Sequence, residues 1–262
     1  LAKVLSVWGI GLLLLAMTVA VQLLVNADGL TGDSVSRLLL LGLGYGVYYL
    51  IVINLTVVFS LAFKSSTAAL SSMIVIWVMW TVFLPKIIGN AVETLTPLPT
   101  RIDFQKAMTE DRSKGIDGHN PSGERRKELE KATLAKYGVT TLKELPINFA
   151  GIVMQADEEY GNAVWDKHFG NLYAQMAIQK ANYQLSGTVN PFASLQSLSM
   201  GAAGSDMLHH LDFLGQAEAY RRVFIKALND EYAFGGAKTG QRGWKADTAF
   251  FQSVADFHYK QP

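Results

Sequence analysis

The sequence predicts an all-α membrane protein, in which polytopic transmembrane helices are followed by a mainly helical domain. Two observations lead to this prediction. Residues 4–27, 38–63 and 65–85 contain no Asp, Glu, Lys or Arg, whereas almost every charge follows Lys86. A bilayer core of about 30 Å needs roughly 20 helical residues, and each of these runs is long enough. In the remainder of the chain, apolar residues recur at helical spacing and no alternating strand pattern is present.

The predicted spans cover about residues 4–25, 37–63 and 66–85, so that residues 1–90 form a transmembrane region. Backbone groups find no water inside lipid, so these runs must be helices, and their continuous hydrophobicity excludes a β-barrel. The first run is longer than the apolar core of a signal peptide and lacks a small-residue cleavage site, which disfavours a cleaved leader. Only residues 64–67 separate the second and third runs, which therefore form an antiparallel hairpin.

The charges that flank the spans predict their orientation. The sequence Asn26–Gly29 is a turn signal that ends the first span. Lys3 and Lys64 then lie on one side of the membrane, and the acidic loop with Asp28 and Asp33 lies on the other. The positive-inside rule makes the lysine side cytoplasmic. By parity, residues 91–262 form a helical domain outside the cytoplasm.

Aromatic and polar residues within the spans allow more than one interpretation. Trp77, Trp80 and Phe83 suit either an interfacial aromatic belt or packing against a neighbouring span, and Pro85-Lys86 is expected to mark the exit from the membrane. Asn54 lies within the second span, where an unpaired amide is costly. We expect it to hydrogen bond to another helix, and the alternative is that it lines a translocation path.

A glycine-rich string in the second span superficially resembles a phosphate-binding loop. It contains Gly42, Gly44 and Gly46. The string sits inside an apolar run with no preceding strand, so close helix packing is favoured over nucleotide binding.

The second part of the chain reads as a series of helices separated by turn residues. The sequence 97–100 stops the chain and caps a helix over 101–112, and residues 114–123 form a loop. A helix over 124–137 ends at Gly138. A long helix over 148–185, with a kink expected near Gly161 or Gly170, ends at Gly187. The remaining expected features are a helix opened by Asn190-Pro191, a helix capped by Ser205 that continues to about Asp230, and an irregular tail from Gly235-Gly236.

Composition excludes several classes of function. The net charge is +1 and both signs are mixed in the polar region, so nothing indicates a nucleic-acid partner. The chain has no cysteine, which removes disulfides, thiolate catalysis and cysteine metal sites. There is no Walker loop, no G-x-S-x-G and no nucleophile with an evident base. We therefore assign no residue a catalytic, cofactor-binding or metal-binding role, and we expect no enzyme activity on this chain.

A cluster of acidic and histidine residues is the main candidate for a metal site. Asp206 and His210 have the i, i+4 spacing that can hold a metal, with His209 and Asp212 beside them. Zinc needs three or four converging ligands and the sequence has no H-E-x-x-H, so capping and surface contacts are favoured. A membrane-bound metal-dependent hydrolase that uses His209 and His210 is the rival hypothesis.

Two further polar groups are candidates for a site. The members of the first group are Asp157, Glu158, Glu159, Asp166 and His168. Only Glu159 and Asp166 clearly share a helix face, so the spacing does not specify general acid–base chemistry, and solvation or helix–helix salt bridges are favoured. The second group is a mixed patch that can meet a substrate or partner but is more often structural. Its members are Glu218, Tyr220, Arg221 and Arg222.

Several local strings, taken in order, resemble a bacterial family of ABC-2-type transporter permeases that carry the domain of unknown function DUF3526. They extend from the third span to the final aromatic tail at 257–259. The strings are 97–104 (PLPTRIDF), 115–121 (GIDGHNP), 136–139 (KYGV), 145–149 (LPINF), 155–160 (QADEEY), 198–204 (LSMGAAG) and 217–221 (AEAYR).

The resemblance implies a permease subunit in the bacterial inner membrane, with residues 91–262 as a periplasmic domain. ATP and Mg would bind a separate ATPase subunit, and a second permease, identical or related, would complete a dimer in the lipid bilayer. The resemblance also implies that the chain is a fragment, with earlier spans before residue 1 and a last span after residue 262. Cargo residues cannot be transferred, because the family has no common cargo. The rival from another class is a membrane-anchored extracytoplasmic sensor or interaction protein.

Overall fold

A computed structural model describes residues 2–25, 31–241 and 243–261. Within these ranges every regular element is a helix, which confirms the predicted all-α fold class. The turn predicted at Asn26–Gly29, the loop residue Asp28 and the terminal residues Leu1 and Pro262 lie outside the described residues.

Three helices are long and apolar enough to cross a membrane: α1 (Ala2–Val25), α2 (Gly32–Ala62) and α3 (Ser66–Leu95). Helix α2 begins five residues before the predicted span, because the Thr31 side chain accepts a hydrogen bond from the Ser34 N–H and caps it there. The third predicted span stops at Pro85, whereas the helix itself continues through Pro85 to Leu95. The exit from the membrane at Pro85-Lys86 stays a prediction. A five-residue π-helical turn, Met79–Phe83, precedes the proline and accommodates it.

The glycines of α2 allow close helix packing, as predicted. Gly46 is buried, its carbonyl accepts a hydrogen bond of 2.8 Å from the indole N–H of Trp8 on α1, and a Cβ here would lie 3.1 Å from Leu12. Gly44 also meets a close neighbour, whereas nothing lies within 4 Å of a Cβ placed at Gly42. The helix-packing interpretation is thus confirmed at two of the three glycines.

The other helices begin and end near their predicted bounds. The Thr100 side chain caps the first of them as expected, and Gly138 ends the second in the left-handed conformation, at φ 65°. The short helix at the end of the chain was not predicted. The helices are α4 (Arg101–Lys114), α5 (Ser122–Tyr137), α6 (Phe149–Leu185), α7 (Pro191–Ala202), α8 (Met207–Phe234) and α9 (Thr248–Ser253).

The chain packs into two units, and neither is continuous in sequence. The first unit comprises Leu1–Pro97 and Met176–His210, and the second comprises Leu98–Gln175 and Leu211–Pro262. The first unit therefore contains the three spans together with the end of α6, all of α7 and the beginning of α8. The second unit contains the rest of α6 and α8 with α4, α5 and the C-terminal tail.

In the second unit, the backbone at the start of α6 packs closely against the backbone at the end of α8. The Asn148 N–H donates to the Ala233 carbonyl at 2.9 Å, and Ala233 is 1% exposed. A Cβ at Gly151 would lie 2.6 Å from the Ala233 nitrogen, so only glycine lets the two backbones approach this closely. Further along α6, Val164 is buried to a similar extent.

Candidate functional site

The most unusual feature of the first unit is a helical hairpin that packs against the spans. Between Lys180 and Asp206 the sequence carries no Asp, Glu, Lys or Arg. The first arm is the end of α6, the turn is Ser186–Thr188, and the second arm is α7. Just before the first arm, the Gln179 side chain donates a hydrogen bond to the carbonyl of Thr96, the residue that follows the end of α3. We call residues 181–205 the uncharged hairpin.

Helix α7 lies against α2 and runs in the opposite direction. A Cβ at Gly44 would overlap the side chain of Leu198 and would contact Leu195. At the other end of α7, the Arg37 guanidinium donates to the Ala202 carbonyl at 3.5 Å, in the last turn where helix carbonyls lack intrahelical donors. The absence of a side chain at Gly44 thus lets α7 reach the backbone of a membrane span.

Asn190 joins the start of α7 to the π-helical turn of α3. It is 0% exposed. Its Oδ1 accepts from the N–H groups of Phe192 and Ala193, at 3.2 and 3.4 Å, and so caps α7. Its Nδ2 donates to the Trp80 carbonyl at 2.9 Å. All polar groups of this amide except one N–H are therefore used.

The Trp80 carbonyl needs this donor because of Pro85. In the π-helical turn the Leu84 N–H bonds to the Met79 carbonyl, five residues earlier. In the same register the donor for Trp80 would be residue 85, which is proline and has no N–H. The Asn190 amide supplies the missing hydrogen bond midway along a candidate membrane span, where an unsatisfied carbonyl would be costly.

An ion-pair cluster closes the open end of the uncharged hairpin. The Lys180 ammonium, at its first end, bonds to the Asp206 carboxylate, at its second. The same carboxylate accepts from the His209 N–H at 3.0 Å and contacts the His209 ring at 2.6 Å. Asp206 therefore caps α8, one residue after the predicted cap Ser205. Burial of Asp206 disfavours its charge, but the hydrogen bonds from Lys180 and His209 outweigh burial and hold the pKa of this carboxyl well below its usual range.

The cluster that was the metal candidate is divided among different roles. His210, the proposed metal partner of Asp206, is exposed, and the Asp212 carboxylate accepts from Gln216 in the second unit. Across the described ranges 2–25, 31–241 and 243–261, no group of three or more His, Cys, Asp or Glu residues is placed to hold a metal ion. The capping interpretation of Asp206 is confirmed, although the residue is buried and not on the surface.

The carboxylates of α6 are also dispersed. Glu159 is exposed and accepts from Gln155 at 2.9 Å. Asp157 and Glu159 line a cleft of about 540 Å³ between α5 and α6, opposite Arg125 and Arg126. This cleft lies within the second unit and is open to solvent.

Glu158 and Asp166 form helix–helix salt bridges, as predicted. Arg221 of α8 bonds to Glu158 at 3.0 Å, and Arg222 forms a two-pronged pair with Asp166 at 2.6 and 3.0 Å. Both arginines also bond to Glu218, and these hydrogen bonds, that from Arg221 above all, keep the pKa of the Glu218 carboxyl below its usual range. The mixed patch is therefore structural, and its fourth member, Tyr220, stacks on Phe224.

His168 belongs to a second compact network on α6. Its Nε2 lies 2.8 Å from the Asp111 carboxylate, which also pairs with Lys167 at 2.9 Å. The hydrogen bond from Lys167, followed by that of His168, lowers the pKa of Asp111. On the same helix, the Tyr160 hydroxyl accepts from the Ile116 N–H at 2.5 Å. These contacts hold α4 and its following turn on α6.

Asn54 does not bond to another helix, so that expectation is wrong within the described chain. Its Nδ2 donates to the Leu50 carbonyl of its own helix at 2.7 Å, and the side chain is exposed. Of the aromatic residues in α3, Trp77 and Phe83 are exposed and Trp80 is half-buried. Exposure alone does not decide between the two interpretations of these rings, and both stay predictions.

The sequence contains a signal for the uncharged hairpin that helical periodicity alone does not reveal. A charge-free stretch bounded by a lysine and an aspartate, with Asn-Pro at its centre, is visible without a structure. It is interrupted by turn residues and is therefore not a span. What the sequence does not show is that Asn190 and Lys180 have partners far along the chain, at Trp80 and Asp206.

These features define a class: a helical membrane protein whose polar domain returns an uncharged hairpin to its own spans. Residues 101–260 match the family described as domain of unknown function (DUF3526). This match covers more than half of the chain, so the chain belongs to the DUF3526 family. No curated protein and no solved structure matches it.

Proposed function

We propose that this chain is a permease subunit of an ABC-2-type ATP-driven transporter in the bacterial inner membrane. The observation that carries the proposal is the composition of the first unit, in which three candidate spans pack with the uncharged hairpin. A membrane anchor needs only one apolar helix. It does not need a segment of its polar domain to pack against the membrane helices. A protein that opens and closes a path needs elements that can change their packing against spans.

The uncharged hairpin provides such an element. Its contacts to α2 and α3 include the close packing at Gly44, one amide hydrogen bond at Trp80 and one guanidinium bond at Ala202. Because it lacks charge and reaches the middle of α3, it lies at the depth of the lipid in this proposal, entering from the periplasmic side. A movement of α3 at its π-helical turn would then move α7 directly.

The energy source in this proposal is a separate ATPase subunit that binds ATP and Mg. The sequence carries no Walker loop on which hydrolysis could occur. The second permease subunit, identical or related, completes the pathway. Apart from the uncharged hairpin, the domain that matches the family lies on the periplasmic side in this proposal and meets cargo or a periplasmic partner there. The cargo is not specified by any residue of the chain.

The experiment that tests this proposal is copurification of the full-length protein in mild detergent, followed by mass spectrometry and an ATPase assay. A stoichiometric nucleotide-binding subunit with vanadate-sensitive hydrolysis is the expected result. As a control, the same purification is made with Asn190→Ala, which disturbs the hairpin but no cytoplasmic residue. It should keep the ATPase bound and change its activity. If the full-length protein is isolated without any ATPase, the membrane-anchored sensor becomes the better assignment.

A further inference from the structure

The cleft between α5 and α6 in the second unit has walls of opposite net charge. It encloses about 540 Å³, a volume typical of sites for small molecules. Arg125 and Arg126, with Glu128 beside them, line it from α5, and Asp157 and Glu159 line it from α6. We call it the charged cleft. Its floor is apolar and consists mainly of small side chains, which leave it open; the floor residues are Leu129, Ala132, Val153, Ala156 and Ala163.

A second cavity, of about 330 Å³, adjoins the charged cleft and shares Arg125, Asp157 and Tyr160 with it. It adds side chains that can hydrogen bond to a polar ligand. These side chains belong to Thr109, Arg112, Ser113 and Ser122. Together the two cavities leave room for a ligand longer than a single amino acid.

The Arg125 guanidinium is held in place without a ligand. It donates to the carbonyls of Asn120 and Arg112 at 2.6 and 3.0 Å, and its central carbon lies 3.5 Å from the centre of the Tyr160 ring. The Tyr160 hydroxyl is in turn fixed by the Ile116 N–H. A guanidinium has five N–H donors, and the two carbonyls use only two of them. A cation with a fixed geometry and unused donors suits a carboxylate, because little side-chain entropy is lost when it binds.

The charges of the two walls do not neutralise each other. Among the side chains that the structure describes, neither Arg126 nor Asp157 has a hydrogen bond or an ion pair. Glu159 bonds to Gln155 of its own helix and not to an arginine across the cleft. An electric field from the guanidinium groups to the carboxylates therefore crosses a cleft with an apolar floor. A ligand with a single charge is attracted by one wall and repelled by the other, whereas a ligand with both charges is attracted by both.

We propose that the charged cleft binds a short peptide with free termini and apolar side chains. Arg125 and Arg126 receive its carboxylate, Asp157 and Glu159 receive its ammonium group, and the floor receives its side chains. Each residue of an extended peptide adds about 3.3–3.6 Å between the two termini, so a peptide spans walls that are too far apart to pair directly. The inference deepens the proposed function and rests on it for the side of the membrane from which the peptide arrives, but not for the binding itself.

Isothermal titration calorimetry of the full-length protein in lipid nanodiscs tests the proposal, with leucyl-leucine as the probe. Three matched ligands each lack one recognised feature. N-acetyl-leucyl-leucine lacks the ammonium group, leucyl-leucinamide lacks the carboxylate, and glycyl-glycine lacks the apolar side chains. Each should bind roughly tenfold more weakly than leucyl-leucine, or more weakly still, which is the size of one charge-assisted hydrogen bond or one buried apolar side chain. Absence of leucyl-leucine binding at millimolar concentration, or equal binding of all four ligands, overturns the proposal.

A substitution tests whether the peptide binds in the charged cleft. Asp157→Asn changes an exposed side chain without a described partner. It should weaken the binding of leucyl-leucine about tenfold but should not weaken that of N-acetyl-leucyl-leucine, which has no ammonium group for the carboxylate to hold. The control is Glu124→Gln, which removes an exposed carboxylate of α5 that does not line the cleft and should change neither affinity. An unchanged affinity of Asp157→Asn for leucyl-leucine, or an equal loss for both ligands, contradicts the assigned site.

The protein used for calorimetry is also assayed for a copurified ATPase. Binding of leucyl-leucine without an ATPase would support the charged cleft and refute the transporter. A bound ATPase without peptide binding would support the transporter and overturn the charged cleft as a peptide site.

Discussion

Replacement of Asn190 by alanine should destabilise the first unit through two separable effects. The loss of the cap on α7 costs about 1 kcal/mol. The Trp80 carbonyl, left without its donor inside α3, costs a further 1–3 kcal/mol, on the order of one unsatisfied buried group. Asn190 is fully buried, and no water reaches the site to compensate. The expected loss in the free energy of unfolding is therefore about 2–4 kcal/mol.

A second substitution separates the two effects. Pro85→Ala restores a backbone N–H to α3, so that the Trp80 carbonyl gains a donor from its own helix whether the turn stays π-helical or becomes α-helical. In that background Asn190→Ala should cost only the cap, about 1 kcal/mol. The double-mutant cycle thus predicts a coupling of about 1–3 kcal/mol between two residues that are far apart in sequence.

The assay is equilibrium unfolding of the full-length protein in mild detergent by titration with dodecyl sulfate, followed by tryptophan fluorescence. Asn190→Ser is an additional control, because serine can still cap α7 but is too short to reach Trp80. This variant should lose most of the stabilisation that comes from the hydrogen bond to the Trp80 carbonyl and keep part of the stabilisation that comes from the cap on α7. If Asn190→Ala has the same cost with Pro85 and with Ala at position 85, Asn190 does not replace a hydrogen bond that proline removes.

Three further outcomes are expected. Gly151→Ala should lower the free energy of unfolding by about 1–3 kcal/mol, because its Cβ would strike the Ala233 backbone. Gly170→Ala, whose Cβ would have nothing within 4 Å, should raise the free energy of unfolding by about 0.5–1 kcal/mol. Equal effects of the two substitutions in chemical denaturation would contradict the close approach of Gly151 to Ala233. Asp206 has a depressed pKa in the folded state, so its stabilisation is present above the unfolded pKa of about 4 and is lost as the pH falls. The melting temperature of the wild type should therefore decline more steeply below about pH 4 than that of Asp206→Asn, and parallel declines would count against the Lys180 pair. A membrane-impermeant maleimide should label Ser113→Cys quickly and Gln196→Cys slowly in intact membranes, although both side chains are exposed in the protein itself; equal rates would place the uncharged hairpin outside the lipid.

The features that sequence reasoning predicted well are those that depend on neighbouring residues. Thr100 caps the start of α4, and Gly138 ends α5. The absence of charged residues was enough to locate the three candidate spans. The salt bridges of Glu158 and Asp166 followed from charge on the face of a long helix. In each case the deciding interaction lies within a few residues or along one helix.

The features that it missed depend on contacts between distant segments. The third predicted span stops at Pro85, but the π-helical turn and the Asn190 amide allow helix α3 to continue to Leu95. Asp206 and Ser205 are both good capping residues, and Lys180 on a remote turn favours the aspartate. Asn54 was expected to have a partner on another helix, and none lies in the described chain.

The uncharged hairpin also has a consequence for the order in which the protein is assembled. Its helical arms, residues 181–185 and 191–202, are both shorter than the roughly 20 residues needed to cross a bilayer, so neither arm alone can be inserted as a span during synthesis. The ribosome completes the hairpin only after most of the second unit has been made. In the proposed topology, the hairpin therefore enters laterally, from the periplasmic side, between spans that have been made before it. Gly44 and the Trp80 carbonyl then stay uncovered by α7 until that step.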